Sequence, residues 1–183
     1  MFSWVANLES PRRLQYRFAD VLVQAGVPRA KLLLLGDKAA IVNVLPEEVG
    51  IPVHPNTVVR TAGVGVCLWL QPTQRLLLLS PAGGAAWAAR IRSTNAADAW
   101  VLEAGARFVE FEVSGRGAAT LLNVGCSLDL REAAFPPDAC AQSRFDQIPV
   151  LLFRSSPERF EILTERPLAH HLWLWLCRAG NTI

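Results

Sequence analysis

The chain has 183 residues, 51% of them hydrophobic and 19% charged, which excludes intrinsic disorder and is apolar for a free-standing soluble domain of this size. The formal net charge is only +2, and all but two of the 18 basic residues are arginines, scattered rather than striped, which excludes the electrostatic footprint of a nucleic-acid binder. Pro72, Pro81 and the Gly83-Gly84 pair interrupt the apolar stretches well short of the ~20 residues a membrane span needs, so the excess predicts a surface covered by something other than lipid.

From the start of the chain, "MFSWVANLESPRR" has no basic region ahead of an apolar core, which predicts no secretion signal. Cys67, Cys126, Cys140 and Cys177 show no Cys-x-x-Cys spacing, and a reducing cytoplasm with free buried thiols is expected rather than disulfides or zinc. The run "PRRLQYRFADVLVQAG", stopped by Gly26 and Pro28, is expected to be helical, making residues 1–30 an N-terminal extension.

Residues 31–183 read as one doubled domain. "LLLLGDKAAIVNVL" aligns with "FEVSGRGAATLLNVG" by matching Gly36 to Gly115, an offset of 115 − 36 = 79. "QRLLLLSPAGGAAWAARI" aligns with "ERFEILTERPLAHHLWLWL" by matching Arg75 to Arg159, an offset of 159 − 75 = 84. Self-similarity at such a period marks a repeated supersecondary unit, here about residues 31–95 and 97–180.

In the first repeat, residues 31–35 predict a strand, 37–45 a helix, and 57–60, 64–70 and 76–79 strands. A helix over "AAWAARI" follows, with Ser80 as its cap and Pro81 in its first turn. The second repeat gives a strand at 108–113, a helix at 117–124 and strands at 141–145, 149–154 and 160–163. Its last helix, 167–178, is expected to be capped by Thr164 and ended by Gly180. This order predicts an α+β fold of two similar units, each an antiparallel sheet with one face covered by helices, related by a pseudo-twofold. Val109, Phe111 and Val113 alternate with Glu110 and Glu112, as a strand with one wet face should.

The catalytic motifs fail one by one. Gly115 and Gly117 suggest a phosphate cradle, but the third small residue of a dinucleotide fingerprint is replaced by Thr120 and no ribose-binding acid follows. No Gly-Lys-Ser/Thr occurs, and Lys31 and Lys38 lie in another segment, so Gly115 is expected simply to turn a strand into a helix. His54 sits in a loop between Val53 and Pro55, and His170 and His171 are adjacent on a helix, where neighbouring side chains diverge by about 100°. No nucleophile and base, metal-ligand set or paired-acid spacing emerges. No catalytic, cofactor-binding or metal-binding residue is therefore assigned. The closing run "HHLWLWLCRAG", with Trp173 and Trp175, is apolar all round, which fits either a helix buried between the two halves or a protein interface.

The segments "LGDKAA", "PNTVVR", "LWLQPTQRLLLL", "VSGRGAATLLNVGCSLDL", "AAFPPDACAQSRFDQIPVLLFR" and "FEILTERPLAHHLWLWL" together resemble the gamma subunit family of heterotetrameric sarcosine oxidase and related N-methyl amino acid oxidases or dehydrogenases. The resemblance runs over residues 29–178 and is most specific at 125–130 and 135–144. The family is similar in fold to the folate-binding aminomethyltransferase of the glycine cleavage system, which agrees with the doubled α+β pattern.

The resemblance implies a small, cofactor-free, non-catalytic subunit, with FAD, FMN, NAD, folate and zinc held by companion alpha, beta and delta subunits. The chain departs from the family pattern at Gln74-Arg75, where an acidic-aromatic pair is expected, and at "VLEAGARFVEF", which lacks an Asp-x-Ser start. The strand at 64–70 carries no acid in place of the aminomethyltransferase Asp-Asp pair, and a carboxylate is the natural anchor for a pterin amino group. The alternative function, a free-standing folate-binding one-carbon transfer domain, would need such an acid. Glu103, Glu110, Glu112 and Asp129 are the acids nearest the doubled motif, and none has a partner identifiable from sequence.

Overall fold

A computed structural model describes residues 14–94 and 98–181. They form two compact units: a central unit over Arg29–Ala106, and a terminal unit that joins the chain up to Pro28 to everything from Arg107 onward. The residues expected to form a helical extension are strands of the terminal unit instead. β1 (Gln15–Phe18) and β2 (Val21–Ala25) make a hairpin, and Val21, Val23 and Ala25 are buried while Leu22 and Gln24 are half-buried. That period of two is a strand signature, and pairing with a central strand overrides the helical propensity of the flanking residues.

In the central unit, β3 (Lys31–Leu35), β4 (Val58–Thr61), β5 (Gly65–Gln71), β6 (Gln74–Leu79) and β7 (Trp100–Glu103) form an antiparallel sheet ordered β4-β5-β6-β3-β7. Helices α1 (Lys38–Val44) and α2 (Gly84–Ser93) follow β3 and β6. Asp37 caps α1 by accepting from the Ala40 amide at 2.8 Å, as its short acceptor side chain favours. The expected Ser80 cap is not used: Gly83, at φ +83, stands at the start of α2, and the Ser80 amide bonds to Val64 O. Leu32, Leu34, Ile41, Val44, Leu77, Leu79 and Ile91 close a mainly aliphatic core between sheet and helices, with Cys67 within it and Trp87 packed at its edge.

The terminal unit repeats the scheme with β8 (Phe108–Ser114), α3 (Ala118–Asn123), β9 (Cys140–Phe145), β10 (Ile148–Ser156), β11 (Arg159–Glu165), a 3-10 turn (Arg166–Leu168) and α4 (Ala169–Gly180). Its sheet is ordered β1-β2-β8-β11-β10-β9, so β3, β4, β5 and β6 correspond to β8, β9, β10 and β11. Thr164 does not cap the last helix; its hydroxyl donates to Pro149 O across the sheet at 3.0 Å. The core here is aromatic: Phe111, Phe145 and Phe160 are fully buried, and Trp173 stacks on Phe111 with ring centroids 6.0 Å apart.

The repeats are linked by reciprocal strand exchange. β2 directly precedes β3 in the chain yet pairs with β8, and β7 directly precedes β8 yet pairs with β3. Each repeat thus lends its leading strand to the other's sheet. The matched glycines show why both turns need glycine: φ is +142 at Gly36 and +113 at Gly115, in the region that L side chains avoid. A side chain at Gly36 would also sit 2.8 Å from Asp98 O, and one at Gly115 would collide with Asp20 O. Asp98 and Asp20 each lie just before the exchanged strand, β7 or β2. The glycines make room for the crossing backbone.

Candidate interaction surfaces

The Gly115–Gly117 turn does not fit a nucleotide phosphate. Asp20 O fills the space beside Gly115, the Asp20 carboxyl Oδ1 would lie 3.0 Å from a Cβ at Gly117, and Arg116 pairs with that same carboxylate at 3.4 Å. A carboxylate beside the turn repels the anion a cradle would bind. Lys31, buried on β3, donates to Arg29 O at 3.1 Å, and Lys38 is exposed at the start of α1.

Residues 125–130 and 135–144, the segments expected from sequence to be most specific to the resemblance, are tied together by one buried arginine. Arg154 on β10 is 4% exposed. Its Nη1 donates to Phe135 O at 2.8 Å and Leu130 O at 3.3 Å, and its Nη2 to Pro157 O, while the guanidinium stacks over Phe160 at 5.0 Å. Its backbone amide reaches Ala139 O, and its carbonyl accepts from the Asp138 amide. Leu130, Phe135 and Cys140 are buried in consequence. The planar fork of donors suits several carbonyls at once, so these motifs are a structural clamp rather than a reactive loop.

Arg75 does similar work in the central unit. It is 2% exposed, donates to Pro52 O at 3.0 Å and to Gln71 O and Gln74 O at 2.5 and 2.9 Å, and stacks over Trp69 at 5.6 Å. Burial pushes its pKa down, and the nearby Cys67 opposes that shift.

An open cleft of about 440 Å³ lies beside the first clamped segment, lined by Val124, Gly125, Cys126, Ser127, Asp146 and Trp175. Trp175 packs on Phe145 at 5.5 Å, and its indole lies so close over Gly125 that any side chain there would collide with it. Asp146 holds the rim at φ +53, its amide bonded to Gly125 O at 2.9 Å. Cys126 Sγ, 3.5 Å from Ser143 Oγ, has no histidine beside it among the lining residues. The cleft offers an aromatic face and a carboxylate, groups for holding a side chain.

The closing helix is not apolar all round once folded. Leu172, Trp173, Leu176 and Ala179 are buried, Leu174 is 39% exposed, and His170, His171 and Arg178 face solvent. The helix packs on its own unit's core with one stripe and leaves Leu174 exposed. The acids nearest the doubled motif have separate surroundings, most of them with an arginine of their own. Glu103 pairs with Arg92 and Glu112 with Arg159 and Gln24; Glu110 is buried in β8. Asp129 is gripped by Arg131 at 2.9 and 3.0 Å, whose hydrogen bonds hold its carboxyl at a pKa of about 2. His54 is exposed in its loop, where its carbonyl accepts from Thr57 at 2.7 Å. Cys67, Cys126 and Cys140 are buried and outside any disulfide; burial raises the pKa of the half-buried Cys177.

Among the described residues, sequence reasoning missed an exposed apolar pair on β7. Trp100 and Leu102 on β7 are 61% and 48% exposed. Both point to the sheet face opposite the helices, because they pair with Leu35 and Leu33, whereas Val101 packs on the core below. Among the described residues no helix is long and apolar enough to cross a membrane.

The sarcosine oxidase, gamma subunit family matches residues 36–182. A sarcosine oxidase subunit gamma from Corynebacterium sp. (strain P-1) is 29% identical over 130 residues, or 71% of this chain and 64% of that protein. One from Arthrobacter sp. is 27% identical over the same shares. The matched region thus spans 64% of the length of these relatives. Heterotetrameric sarcosine oxidase from Corynebacterium sp. U-96, in complex with pyrrole 2-carboxylate, contains a chain that superposes with TM-score 0.79 at 24% identity, covering 88% of this chain and 84% of that one. Glycine cleavage system aminomethyltransferase T from Bartonella henselae superposes with TM-score 0.60 at 15% identity, over 87% of this chain and 46% of that one. The doubled α+β fold is therefore shared with both. A match that begins at the turn glycine Gly36 and runs through both exchanged repeats establishes that the chain belongs to the sarcosine oxidase, gamma subunit family.

Proposed function

We propose that the chain is a non-catalytic subunit of a heterotetrameric, sarcosine oxidase-like flavoenzyme that oxidises N-methyl or secondary amino acids, assembled with alpha, beta and delta companions. The family match over residues 36–182 carries this reading. Exposed Trp100 and Leu102 on one face of β7 in the central unit, and exposed Val124 and Leu174 in the terminal unit, support it, because large apolar side chains grouped on a surface mark interaction sites. FAD, FMN, NAD, folate and zinc would be held by the companions. The chain's own contribution is a rigid scaffold that presents these surfaces and completes the assembly.

The alternative, a free-standing folate-binding one-carbon transfer domain, is disfavoured by the site chemistry: β5 presents Val66, Cys67 and Leu68 and no acid, and Glu103, Glu112 and Asp129 are each engaged by an arginine.

Expression alone and with the companion chains tests the reading. The isolated chain is expected to be colourless and inactive toward sarcosine, since flavin chemistry needs a bound cofactor positioned by protein. The co-expressed chain is expected in a stoichiometric, flavin-absorbing complex. A yellow isolated chain that keeps its flavin band through gel filtration, or a chain that never co-purifies with the companions, contradicts it.

A further inference from the structure

The exchanged strands β2 and β7 occupy the same place in the two sheets, yet only one of them is covered. In the terminal unit the order runs β1-β2-β8, whereas in the central unit it ends at β7 beside β3. Among the described residues no strand lies on the outer side of β7. The hydrogen-bond phase shows which groups are left over. Gly26 N bonds to Glu110 O, so on β2 the residues Leu22 and Gln24 face β8, and Val21, Val23 and Ala25 turn their main-chain groups toward β1. The Ala25 amide accordingly donates to Leu14 O at 2.8 Å.

On β7, Ala104 N bonds to Lys31 O, and the alternation of an antiparallel ladder then directs Trp100 and Leu102 to β3 and turns the amides and carbonyls of Val101 and Glu103 outward. Trp100 and Leu102 meanwhile expose apolar side chains on one face of this open edge. A short, unpaired, apolar edge is what natural sheets ordinarily protect with charge, proline or cover. Glu103 is the single charge on β7, and it is neutralised by Arg92.

We propose that a companion chain adds an extended strand to the outer edge of β7, taking the position that β1 takes beside β2 in the repeat. This rests on the reading of the chain as a subunit of a larger complex. The main-chain groups of Val101 and Glu103 define the occupant as a β-strand, and Trp100 and Leu102 select apolar side chains at its alternate positions on that face. The repeat supplies the geometry: β2 shows that a strand in this place accepts an antiparallel neighbour without disturbing its pairing to the next strand.

The test measures binding of the full chain to its co-expressed companions, with melting of the isolated chain as a fold control. Glu103→Pro removes an outward amide that β3 does not use, a position where an edge strand accepts proline. Leu102→Lys and Trp100→Lys place charge on the apolar face while keeping the backbone intact. Each variant is expected to melt like wild type and to bind the companions at least tenfold more weakly. If Glu103→Pro lowers the melting temperature, the two lysine variants decide alone. Wild-type affinity in variants that fold normally overturns the proposal. A wild-type homodimer that these substitutions dissolve also overturns it, assigning the edge to a second copy. If wild type itself does not assemble with the companions, the subunit reading fails first, a result distinct from an edge variant that assembles normally.

Discussion

The two units run the same strand and helix order but differ in what fills and closes them. The terminal sheet has six strands and a core built on Phe111, Phe145, Phe160 and Trp173, whereas the central sheet has five strands and a core mainly of leucine, isoleucine and valine. Their second helices differ in the same sense: α4 buries Leu172, Trp173 and Leu176, but α2 buries only Gly84, Ala88 and Ile91. A repeat therefore need not divide labour evenly. One copy carries the larger side chains and a covered sheet edge, and the other keeps smaller core side chains and an edge that no described strand covers, where Trp100 and Leu102 are exposed.

Truncating the helix anchors sharpens this contrast most. Trp173→Ala in the isolated chain is expected to cost about 3–5 kcal/mol, as deletion of a core aromatic does, because Trp173 is 8% exposed and stacked on Phe111. Trp175→Ala, half-buried over Gly125, and Trp87→Ala, half-buried on α2 under Arg90, should each cost less than half as much in urea denaturation. Equal losses at all three positions would break the asymmetry.

Next come the buried guanidiniums. Arg154→Ala leaves the carbonyls of Leu130 and Phe135 without their charged donor, and should cost about 2–3 kcal/mol. Arg154→Lys should recover little of it, because a point charge cannot span several carbonyls. Full rescue by lysine, measured in the same denaturation assay, would show that charge rather than fork geometry secures the segment.

The glycine pair compares the crossings directly. Gly36→Ala and Gly115→Ala both force a side chain into a left-handed backbone region, a strain of about 1–3 kcal/mol. Gly115→Ala is expected to lower the melting temperature further, since it also collides with Asp20 O whereas the approach at Gly36 is 2.8 Å to Asp98 O. The opposite order would contradict the view that both glycines exist to let an exchanged strand pass.

Much of this architecture was legible in the residues: the repeat, the α+β class, and the positions of the strands and helices that follow Gly36 and Gly115. The first hairpin was not. Leu14, Phe18, Val21 and Ala25 fit a helical stripe, while Val21, Val23 and Ala25 equally fit a strand, and only the availability of β8 as a partner decides between them. β7 is four residues long, too brief for periodicity to register. The cleft was hidden because Gly125 and Trp175 meet only through the packing of α4. The closing helix misled because composition counts Leu174 and Trp175 as apolar without showing which side of α4 its unit covers.

The smallest effect is electrostatic and marks the exposed rim rather than either core. Arg131 holds the Asp129 carboxyl at about 2, below its unfolded value of about 3.9, so the pair's small contribution is present above pH 4 and is lost as pH falls through about 2. Asp129→Asn should be slightly less stable than wild type at pH 5 and indistinguishable from it near pH 1.5. An Asp129 carboxyl that titrates near 4 by NMR would remove the pair from the account.

The central claim is that one sheet edge is completed within the chain and its repeat equivalent by a partner. Hydrogen exchange read by mass spectrometry, on the isolated chain and on the assembled complex, tests it most directly. The account predicts that the peptide over residues 98–106 exchanges at least tenfold more slowly in the complex, while the peptide over residues 20–26, already paired on both sides, is unchanged. Unaltered exchange at 98–106 in an intact complex would contradict it.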